Sequence, residues 1–381
     1  MIVILYPEFH GVAGIARYLD AFLTNLPPGA PEVVLVTGDT PPPHWKRRGV
    51  ECVSIPMLPT RFGLTLWSWK ACRYVVALNR ARPVSVVNLH IPPLIPGLFL
   101  PPGLPIVVTA HTTYLGMSGR FEGNRHFRSP WNALSVWLKM LMERAIFAQA
   151  DTIITLTEQG RHELAHYGRT ERVEVIPNGV DLVAFAPKES TVEKDIDVLF
   201  CGRIELRKGS RPMVEVCRRL IAADPGIRIA IVGYGDDEAF VWQSLSPFTD
   251  NVLLTGKVSF GDMVSYYGRS KLYLSTSYYE GLPGTCLEAM AMRLPAVVWD
   301  RDFYRQLVVP GITGCVAPTN DALAMANIAI RLLRQPEALE RMGEAARATV
   351  RERYDWRRLA SRLVDVHVRA GRAPTQKAVA T

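Results

Sequence analysis

The sequence predicts an α/β fold with two doubly wound parallel sheets, one in each half of the chain. Short runs rich in Val and Ile recur through the first half, and the second half repeats the scheme. Continuous apolar runs, as opposed to an alternation of apolar and polar residues, are typical of parallel strands that helices cover on both faces. A chain of 381 residues also exceeds what one hydrophobic core usually serves, so two domains are expected.

Eleven strands are predicted, most of them separated by stretches that can form helices. Those of the first half are "IVILY" (2–6), "EVVLVTG" (32–38), "VSVVNLH" (84–90), "PIVVTAH" (105–111), "DTIITLT" (151–157) and "VEVIPNG" (173–179). Those of the second half are "DVLFCGR" (197–203), "IRIAIVGYG" (227–235), "NVLLTGKV" (251–258), "LYLSTS" (272–277) and "PAVVWD" (295–300). The alternation of strand and helix predicts parallel sheets with crossover helices.

The polar segment "DLVAFAPKESTVEKD" (181–195) lacks apolar periodicity and is the expected linker. It separates an N-terminal domain, 1–180, from a C-terminal domain, 181–356. We expect a helix at about 357–372 to pack back on the first domain and residues 373–381 to form a tail. The two sheets would face each other across a cleft at the carboxyl ends of their strands, where such sheets bind ligands.

The composition is globular, with 48% apolar and 21% charged residues. Six cysteines without paired spacing predict a reduced, cytoplasmic protein. The start, "MIVILYPEF", is interpreted as a first buried strand and not as a signal peptide. Six prolines interrupt the most apolar stretch, residues 90–110, so no membrane-spanning helix is expected there.

The formal net charge of +8 is concentrated in residues 44–144, which hold thirteen Lys or Arg against three acids. Four tryptophans are interleaved with these cations: Trp67, Trp69, Trp131 and Trp137. Basic residues and tryptophan at helical spacing suit an anionic membrane surface, which would make the protein peripheral to the cytoplasmic leaflet. Ordinary core helices with solvated basic faces explain the same pattern. No nucleic-acid-binding motif is present.

A candidate anion site follows the first strand of the second half. In "LFCGRIELRKGS" (199–210), Arg203 and Lys208 come directly after a buried strand. Such a pair suits a diphosphate, because Arg grips it with two donors and Lys acts as a point charge. A solvated strand-to-helix loop is the alternative.

The stretch "EGLPGTCLE" (280–288) complements that pair. Gly281, Leu282, Pro283, Gly284 and Thr285 precede a helix-like run, and the backbone N–H groups of the four residues other than proline could bind an anion. Glu280 and Glu288 flank them, and carboxylates accept hydrogen bonds from hydroxyls. A ligand that carries both phosphate and sugar would satisfy both features.

Three residues of the first half are weaker candidates. Gly11 and Gly14 follow the first strand and would let the backbone approach a ligand closely, although many strand-to-helix turns contain glycine. His111 follows the strand "PIVVTA" and could be catalytic or structural.

An ordered set of motifs resembles one enzyme family. "ADTIITLTE" (150–158), "VIPNGVD" (175–181), "GRIELRKG" (202–209), "IVGYGDD" (231–237), "EGLPGTCLEAMAMRLPAVV" (280–298), "GITGCVAP" (311–318) and "YDW" (354–356) are similar, in this order, to the retaining GT-B glycosyltransferases called glycosyl transferases group 1. The resemblance covers about residues 105–360. It implies transfer of a hexose from a UDP- or GDP-linked sugar to a saccharide or lipid-linked acceptor, without metal or cofactor, in polysaccharide or glycolipid synthesis.

The same resemblance implies roles for the candidate residues. Arg203 and Lys208 would bind the donor diphosphate, Glu280 would face the transferred sugar, and Glu288 would accept from the ribose hydroxyls. Residues 281–285 would supply main-chain contacts, and Val258 would lie near the base. His111 would lie beside the sugar, and the 11–14 loop would close over the phosphates. Two positions depart from the family pattern: Arg293 replaces a usual glycine, and Gln306 replaces a common glutamate.

Other readings remain open. A GT-A enzyme would use "DID" (195–197) as a metal motif, but these acids precede their strand. An NAD-dependent oxidoreductase would use "GYGDD" (233–237), which is only a partial dinucleotide fingerprint. A GT-B epimerase or a non-catalytic sugar-nucleotide-binding scaffold would keep the same donor residues.

Overall fold

A computed structural model describes residues 1–9, 14–40, 46–60, 62–93, 99–119, 133–187 and 193–372. These residues form two compact units. One contains the described residues from Met1 to Gly179 together with Trp356–Arg372, and the other contains those from Val180 to Asp355. Each unit is built around its own parallel sheet, so the prediction of two doubly wound α/β units is confirmed.

The first unit contains a seven-stranded sheet in the order β3-β2-β1-β4-β5-β6-β7, in which every neighbouring pair is parallel. Its strands are β1 (Ile2–Leu5), β2 (Val33–Thr37), β3 (Val50–Ser54), β4 (Val86–Ile91), β5 (Ile106–Ala110), β6 (Thr152–Thr155) and β7 (Val173–Val175). Its first five helices are α1 (Gly14–Thr24), α2 (Gly63–Ala81), α3 (Tyr114–Met117), α4 (Ala133–Gln149) and α5 (Glu158–His166).

The second unit contains a six-stranded sheet in the order β10-β9-β8-β11-β12-β13, again with parallel neighbours. Its strands are β8 (Ile196–Cys201), β9 (Ile229–Val232), β10 (Val252–Leu254), β11 (Ser270–Ser275), β12 (Ala296–Trp299) and β13 (Gly314–Ala317). Its helices are α6 (Ser210–Ala223), α7 (Glu238–Leu245), α8 (Phe260–Arg269), α9 (Gly284–Ala291), α10 (Asp302–Arg305), α11 (Ala322–Leu333) and α12 (Pro336–Arg353).

Two strands, β3 and β13, were missing from the sequence prediction. Both lie at a sheet edge and are only partly buried. An edge strand is covered less completely than a central one, so neither segment needs the continuous Val and Ile run by which the central strands were recognised.

The last helix, α13 (Trp356–Arg372), belongs to the first unit, where it packs against α1, β4 and β5. Its apolar face is buried, with Leu359, Leu363 and Val366 almost inaccessible to solvent. Trp356 at its start lies against Gly179, where a Cβ atom would come within 2.8 Å of the indole ring. No described helix is both long enough and apolar enough to cross a membrane.

Candidate active site

The loop after β8 carries the first two predicted donor-site residues. β8 is buried and ends at Cys201, and a 3-10 turn over Leu206–Lys208 then leads through Gly209 into α6. Gly209 has φ +73°, and a Cβ atom there would lie 2.0 Å from the carbonyl oxygen of Thr276. The Thr276 hydroxyl donates to the Gly209 carbonyl at 2.9 Å. Glycine therefore lets this loop contact the chain that leaves β11.

The second predicted element lies at the same edge of the sheet, because β8 and β11 are parallel neighbours. After β11 the chain runs through a loop to Pro283, and α9 begins at Gly284 without a side-chain cap. The first N–H groups of a helix have no partner within it, and the helix dipole makes this end positive. A cavity at this edge is lined by Gly202, Arg203, Lys208, Glu280 and Thr285, among others.

Lys208 and Glu280 form an ion pair within this cavity wall. The Glu280 carboxylate is buried, accepts a hydrogen bond from the Ser277 hydroxyl at 2.9 Å, and lies 3.8 Å from an Arg207 guanidinium nitrogen. A lysine ammonium has three donors, so pairing with one carboxylate leaves donors for an anion. The carboxylate also holds the lysine where the cavity opens.

Arg203 differs from Lys208 in its exposure and in its pairing with acids. Its side chain is 54% exposed, and its nearest acidic partner, Glu205, is 3.7 Å away. The guanidinium lies 5.7 Å from the centre of the Tyr234 ring, and the Lys257 ammonium lies at the same distance from that ring. Arg203 is therefore an exposed, weakly paired cation that lines the cavity.

Glu288 lies deeper, one turn into α9. It is buried and accepts a hydrogen bond of 3.0 Å from the Tyr267 hydroxyl, which also lies 3.2 Å from the Thr285 carbonyl oxygen. Burial raises the pKa of Tyr267, so this phenol remains a donor at neutral pH. Of the described residues, those that line the cavity do not include Glu288.

Several supporting residues were not identified from the sequence. The Tyr273 hydroxyl lies 2.9 Å from Thr285 Oγ1, and Tyr304 donates to Ser275, which in turn lies 3.3 Å from Ser277. Burial raises the pKa values of both tyrosines. This neutral network fixes the loop that carries Glu280. Arg207 could have been found, because it precedes Lys208 directly in the quoted motif.

The glycines of "GYG" have a packing role. Gly233 has φ +145°, and a Cβ atom there would lie 1.8 Å from the Gly202 carbonyl oxygen. A Cβ atom on Gly235 would lie 2.4 Å from the Ile204 carbonyl oxygen. The β9 loop therefore needs both glycines to pack on the β8 loop, which accounts for them without a dinucleotide. Val258, the predicted base neighbour, is half-buried in the segment between β10 and α8.

His111 lies directly after β5 in the first unit and is buried. Its Nε2 atom lies 2.9 Å from Nδ1 of His90, and its ring contacts Tyr18 edge-on at 4.7 Å between centroids. Burial lowers the pKa of His111 to about 3, so the imidazole is neutral at physiological pH.

Gly14, one of the two glycines predicted to approach the donor, belongs to the same unit. Gly14 is the first residue of α1, is exposed, and would place a Cβ atom in open space. Gly11 lies outside the described residues.

The described residues contain no group of three or more His, Cys, Asp or Glu side chains that could hold a metal ion. Asp195 and Asp197, the acids of the alternative metal motif, lie at the amino end of β8. Asp195 pairs with Arg269 at 2.5 Å, and Asp197 pairs with Lys271 at 2.7 Å. The hydrogen bond from Arg269 lowers the pKa of Asp195. Both acids are thus engaged by cations at the edge away from the cavity.

In the basic segment, residues 44–144, some tryptophans lie in the core and others at the surface. Trp67 is buried in the core of the first unit, whereas Trp69 and Trp137 are 42% and 56% exposed. The Arg73 guanidinium lies 4.9 Å from the centre of the Trp69 ring. Trp131 lies outside the described residues.

Comparisons with known proteins agree with this architecture. A family model described as Glycosyl transferases group 1 matches residues 184–349, and one described as Glycosyltransferase Family 4 matches residues 12–183. The solved structure of sucrose-phosphate synthase from Thermosynechococcus elongatus has a TM-score of 0.79 at 19% identity, over 97% of this chain and 98% of that one. Anabaena HepE in complex with UDP-glucose has a TM-score of 0.73 at 15% identity, over 96% and 98%.

Curated relatives align over part of their length. Amylovoran biosynthesis glycosyltransferase AmsK of Erwinia amylovora is 27% identical over 55% of this chain and 54% of its own. Phosphatidyl-myo-inositol mannosyltransferase of Mycolicibacterium smegmatis is 30% identical over 50% of each chain. The matched region thus spans about half the length of these two relatives. Taken together, the matches show that the second half of this chain belongs to the glycosyl transferases group 1 family, that its first half matches Glycosyltransferase Family 4, and that the chain has the GT-B fold.

Proposed function

We propose that this protein is a retaining, metal-independent glycosyltransferase that moves a hexose from a UDP- or GDP-linked sugar to a saccharide or lipid-linked acceptor. One observation carries the proposal: Lys208, Glu280 and the uncapped start of α9 meet at the carboxyl edge of one sheet. Cations and a helix N-terminus suit a diphosphate, and a buried carboxylate suits sugar hydroxyls. HepE, a structural neighbour, binds UDP-glucose.

The mechanism follows from where charge develops. The bond between the anomeric carbon and the phosphate oxygen breaks, and negative charge builds on the departing diphosphate. Lys208, Arg203 and the N–H groups at the start of α9 stabilise that charge, and fixed donors of this kind contribute about 3–4 kcal/mol each. The acceptor oxygen then bonds to the anomeric carbon from the face of the departing phosphate, which takes the acceptor proton. Configuration is retained.

Glu280 acts as a positioning group in this scheme. Its carboxylate already accepts from Lys208 and Ser277, so it is held by its neighbours and is a poor nucleophile. Both contacts are made by Oε1, so Oε2, which lies 3.8 Å from an Arg207 guanidinium nitrogen, is the oxygen that would orient a hydroxyl of the sugar. Glu288 accepts from Tyr267 and, in this proposal, also receives a ribose hydroxyl of the donor.

Nucleotide binding tests the proposal directly. UDP, GDP, UDP-glucose and GDP-mannose are added singly to the full chain, with and without EDTA, and the unfolding temperature is measured. A ligand at 100 times its dissociation constant adds about 2.7 kcal/mol of stability, so the correct nucleotide is identified by its shift. No shift with any nucleotide sugar contradicts the proposal. Release of the nucleoside diphosphate without acceptor favours an epimerase, and binding without release of the diphosphate under any condition favours a non-catalytic scaffold.

We further propose that the acceptor is reached at an anionic membrane surface on the cytoplasmic side. Leu134, Trp137, Leu138 and Leu141 on α4 are 43–64% exposed and follow the spacing of one helical stripe. Arg144 on the same helix is also exposed. An exposed apolar stripe with neighbouring cations suits the interface of an anionic bilayer.

A further inference from the structure

Two buried histidines share a hydrogen bond at the carboxyl edge of the first sheet. His90 lies near the carboxyl end of β4, and His111 follows β5, which is the parallel neighbour of β4. The Nδ1 atom of His90 lies 2.9 Å from the Nε2 atom of His111. The two residues are only 2% and 7% exposed. Water therefore has little access to this bond.

The chain that follows His111 is fixed by two buried carboxylates. The Thr113 hydroxyl donates to Glu163 at 2.6 Å, and the Tyr114 backbone N–H donates to Glu143 at 2.8 Å. Both acids are 1% exposed, and they belong to different helices, α5 and α4. With the main chain held in this way, His111 keeps two degrees of freedom, the rotation of its ring and the choice of its tautomer.

The two nitrogens of the His111 ring differ in their surroundings. Nε2 is engaged by His90, whereas Nδ1 has no hydrogen-bond partner within the described ranges and is not among the polar atoms that the protein encloses completely. Nδ1 is therefore the nitrogen that a ligand can reach. Burial lowers the pKa of His111 to about 3 and that of His90 well below its usual value, so both rings are neutral at physiological pH.

The shared hydrogen bond links the tautomers of the two rings. In a neutral imidazole one nitrogen carries the proton and the other accepts. If His90 Nδ1 donates to His111 Nε2, then His111 Nδ1 carries a proton; if His111 Nε2 donates, His111 Nδ1 is an acceptor. A change from one arrangement to the other also moves a proton on or off His90 Nε2. That atom is enclosed and has no partner in the described part of the chain, which hinders the exchange.

We propose that His90 is a positioning residue, which holds the His111 ring in one orientation and one tautomer so that its Nδ1 atom binds a hydroxyl of the donor sugar. The inference rests on the proposed function and on the place beside the transferred sugar that the family resemblance implies for His111. A neutral ring with a fixed donor or acceptor aligns a hydroxyl without taking its proton, and such alignment lowers the barrier to transfer.

NMR of the ring nitrogens tests the pairing without reference to activity. The full chain is labelled with 15N-histidine, and its eight histidines are assigned by substitution. We expect one tautomer of His111 in the wild type and a mixture of both in His90→Phe, because phenylalanine has a ring but no hydrogen-bonding nitrogen. One tautomer in both proteins overturns the proposal. A mixture in the wild type overturns it even where His90→Phe fails to fold.

Transfer kinetics test whether His90 acts through His111. The donor is whichever of UDP-glucose and GDP-mannose raises the unfolding temperature. We expect His90→Phe and His111→Phe each to lower kcat about tenfold or more, because the sugar hydroxyl is no longer aligned. The double variant should lose no more than His111→Phe alone, since the two residues act as one unit. Affinity for UDP or GDP, which lack the sugar, should be unchanged. Additive losses, or a wild-type kcat in His90→Phe, overturn the proposal.

Two further variants separate positioning from packing. His90→Asn keeps a hydrogen-bonding group at the δ position and should restore kcat to within about threefold of the wild type. His367→Phe is the matched control and should leave kcat unchanged, because this buried ring bonds to the Leu363 carbonyl oxygen of its own helix. Equal losses in His90→Asn and His90→Phe overturn the positioning role. If no nucleotide sugar shifts the unfolding temperature, the proposed function fails, and the NMR measurement still decides the pairing of the two rings.

Discussion

The Lys208 ammonium and the Glu280 carboxylate pair with each other although 72 positions separate them in the sequence. The pair joins the loop after β8 to the loop before α9, which are the two segments that a diphosphate sugar would touch. Because both groups are largely buried, each sets the position of the other. Ligand binding and loop geometry are therefore linked at this pair.

Replacing Glu280 by Gln removes the negative charge of the side chain and keeps its size and shape. We expect Glu280→Gln to remain folded and to lose about 100-fold or more in transfer rate, because the amide neither holds Lys208 as an ion pair nor orients the sugar as strongly. Nucleoside diphosphate affinity should change far less. Rates are measured by diphosphate release and affinity by calorimetry. Arg219→Ala, which removes an exposed ion pair on α6, serves as the control. Wild-type turnover in Glu280→Gln removes this residue from the mechanism.

Lys208 and Arg203 should respond differently to truncation. Among the residues that the structure describes, Lys208→Ala leaves the buried Glu280 with only Arg207 as a nearby cation, so it should lower both the free energy of unfolding, by about 1–3 kcal/mol, and donor affinity. Arg203 is half exposed and weakly paired. Arg203→Ala should leave the unfolding free energy within about 0.5 kcal/mol of the wild type and weaken donor binding about tenfold or more. Equal stability losses in the two variants would contradict this distinction.

Much of the fold could be predicted because central parallel strands must be apolar on both faces. The separate candidate segments could also be found, since each follows a recognisable strand. Their pairing could not: nothing in the sequence says that Lys208 turns toward Glu280 and that Arg203 stays at the rim. Those choices depend on Ser277, Arg207 and the packing of the two loops.

The tryptophans show that helical geometry could have improved the sequence prediction of the basic segment. Trp67 and Trp69 are two positions apart in α2, which places them about 200° apart around a helix. They cannot share a face, and the structure buries one and exposes the other. Spacing within the helix therefore carried information that the count of basic and aromatic residues did not.

Gly209→Ala should test the close contact between the two donor-site loops. Its left-handed conformation costs an alanine about 1–2 kcal/mol, and the Cβ atom would also overlap the Thr276 carbonyl oxygen. Gly311 has φ +77° with open space around its Cβ position, so Gly311→Ala reports the conformational cost alone. Denaturant unfolding should show a larger loss for Gly209→Ala. Equal losses would mean that the Thr276 contact relaxes without cost.

Buried histidines should make the first unit sensitive to acid. Burial lowers the pKa of His111 to about 3 and that of His367 to about 4, below the usual value near 6.5. The unfolded chain therefore binds protons that the folded chain excludes, and stability falls as the pH drops below about 6.5. Each such group contributes up to about 1.4 kcal/mol per pH unit until its folded pKa is reached. His367→Phe should flatten the dependence of unfolding free energy between pH 6 and 4. The same slope in wild type and variant would show that His367 does not contribute.

The exposed α4 stripe should bind anionic vesicles. At about 0.1 M salt we expect the protein to co-sediment with phosphatidylcholine vesicles that contain phosphatidylglycerol, more than with phosphatidylcholine alone, and to be released in part at about 1 M salt, where charges are screened within about 3 Å. Replacing Trp137 and Leu138 together by Ser removes apolar area from the stripe and should lower binding about tenfold or more. Trp242→Ser is the matched control, because Trp242 is 50% exposed in the other unit. If the Trp137 and Leu138 variant binds vesicles as the wild type and the control do, α4 is not the contact surface. If the chain binds no vesicle at all, the acceptor is not reached through this surface.

Diphosphate release with a water-soluble acceptor, unchanged in the Trp137 and Leu138 variant, would separate membrane docking from catalysis.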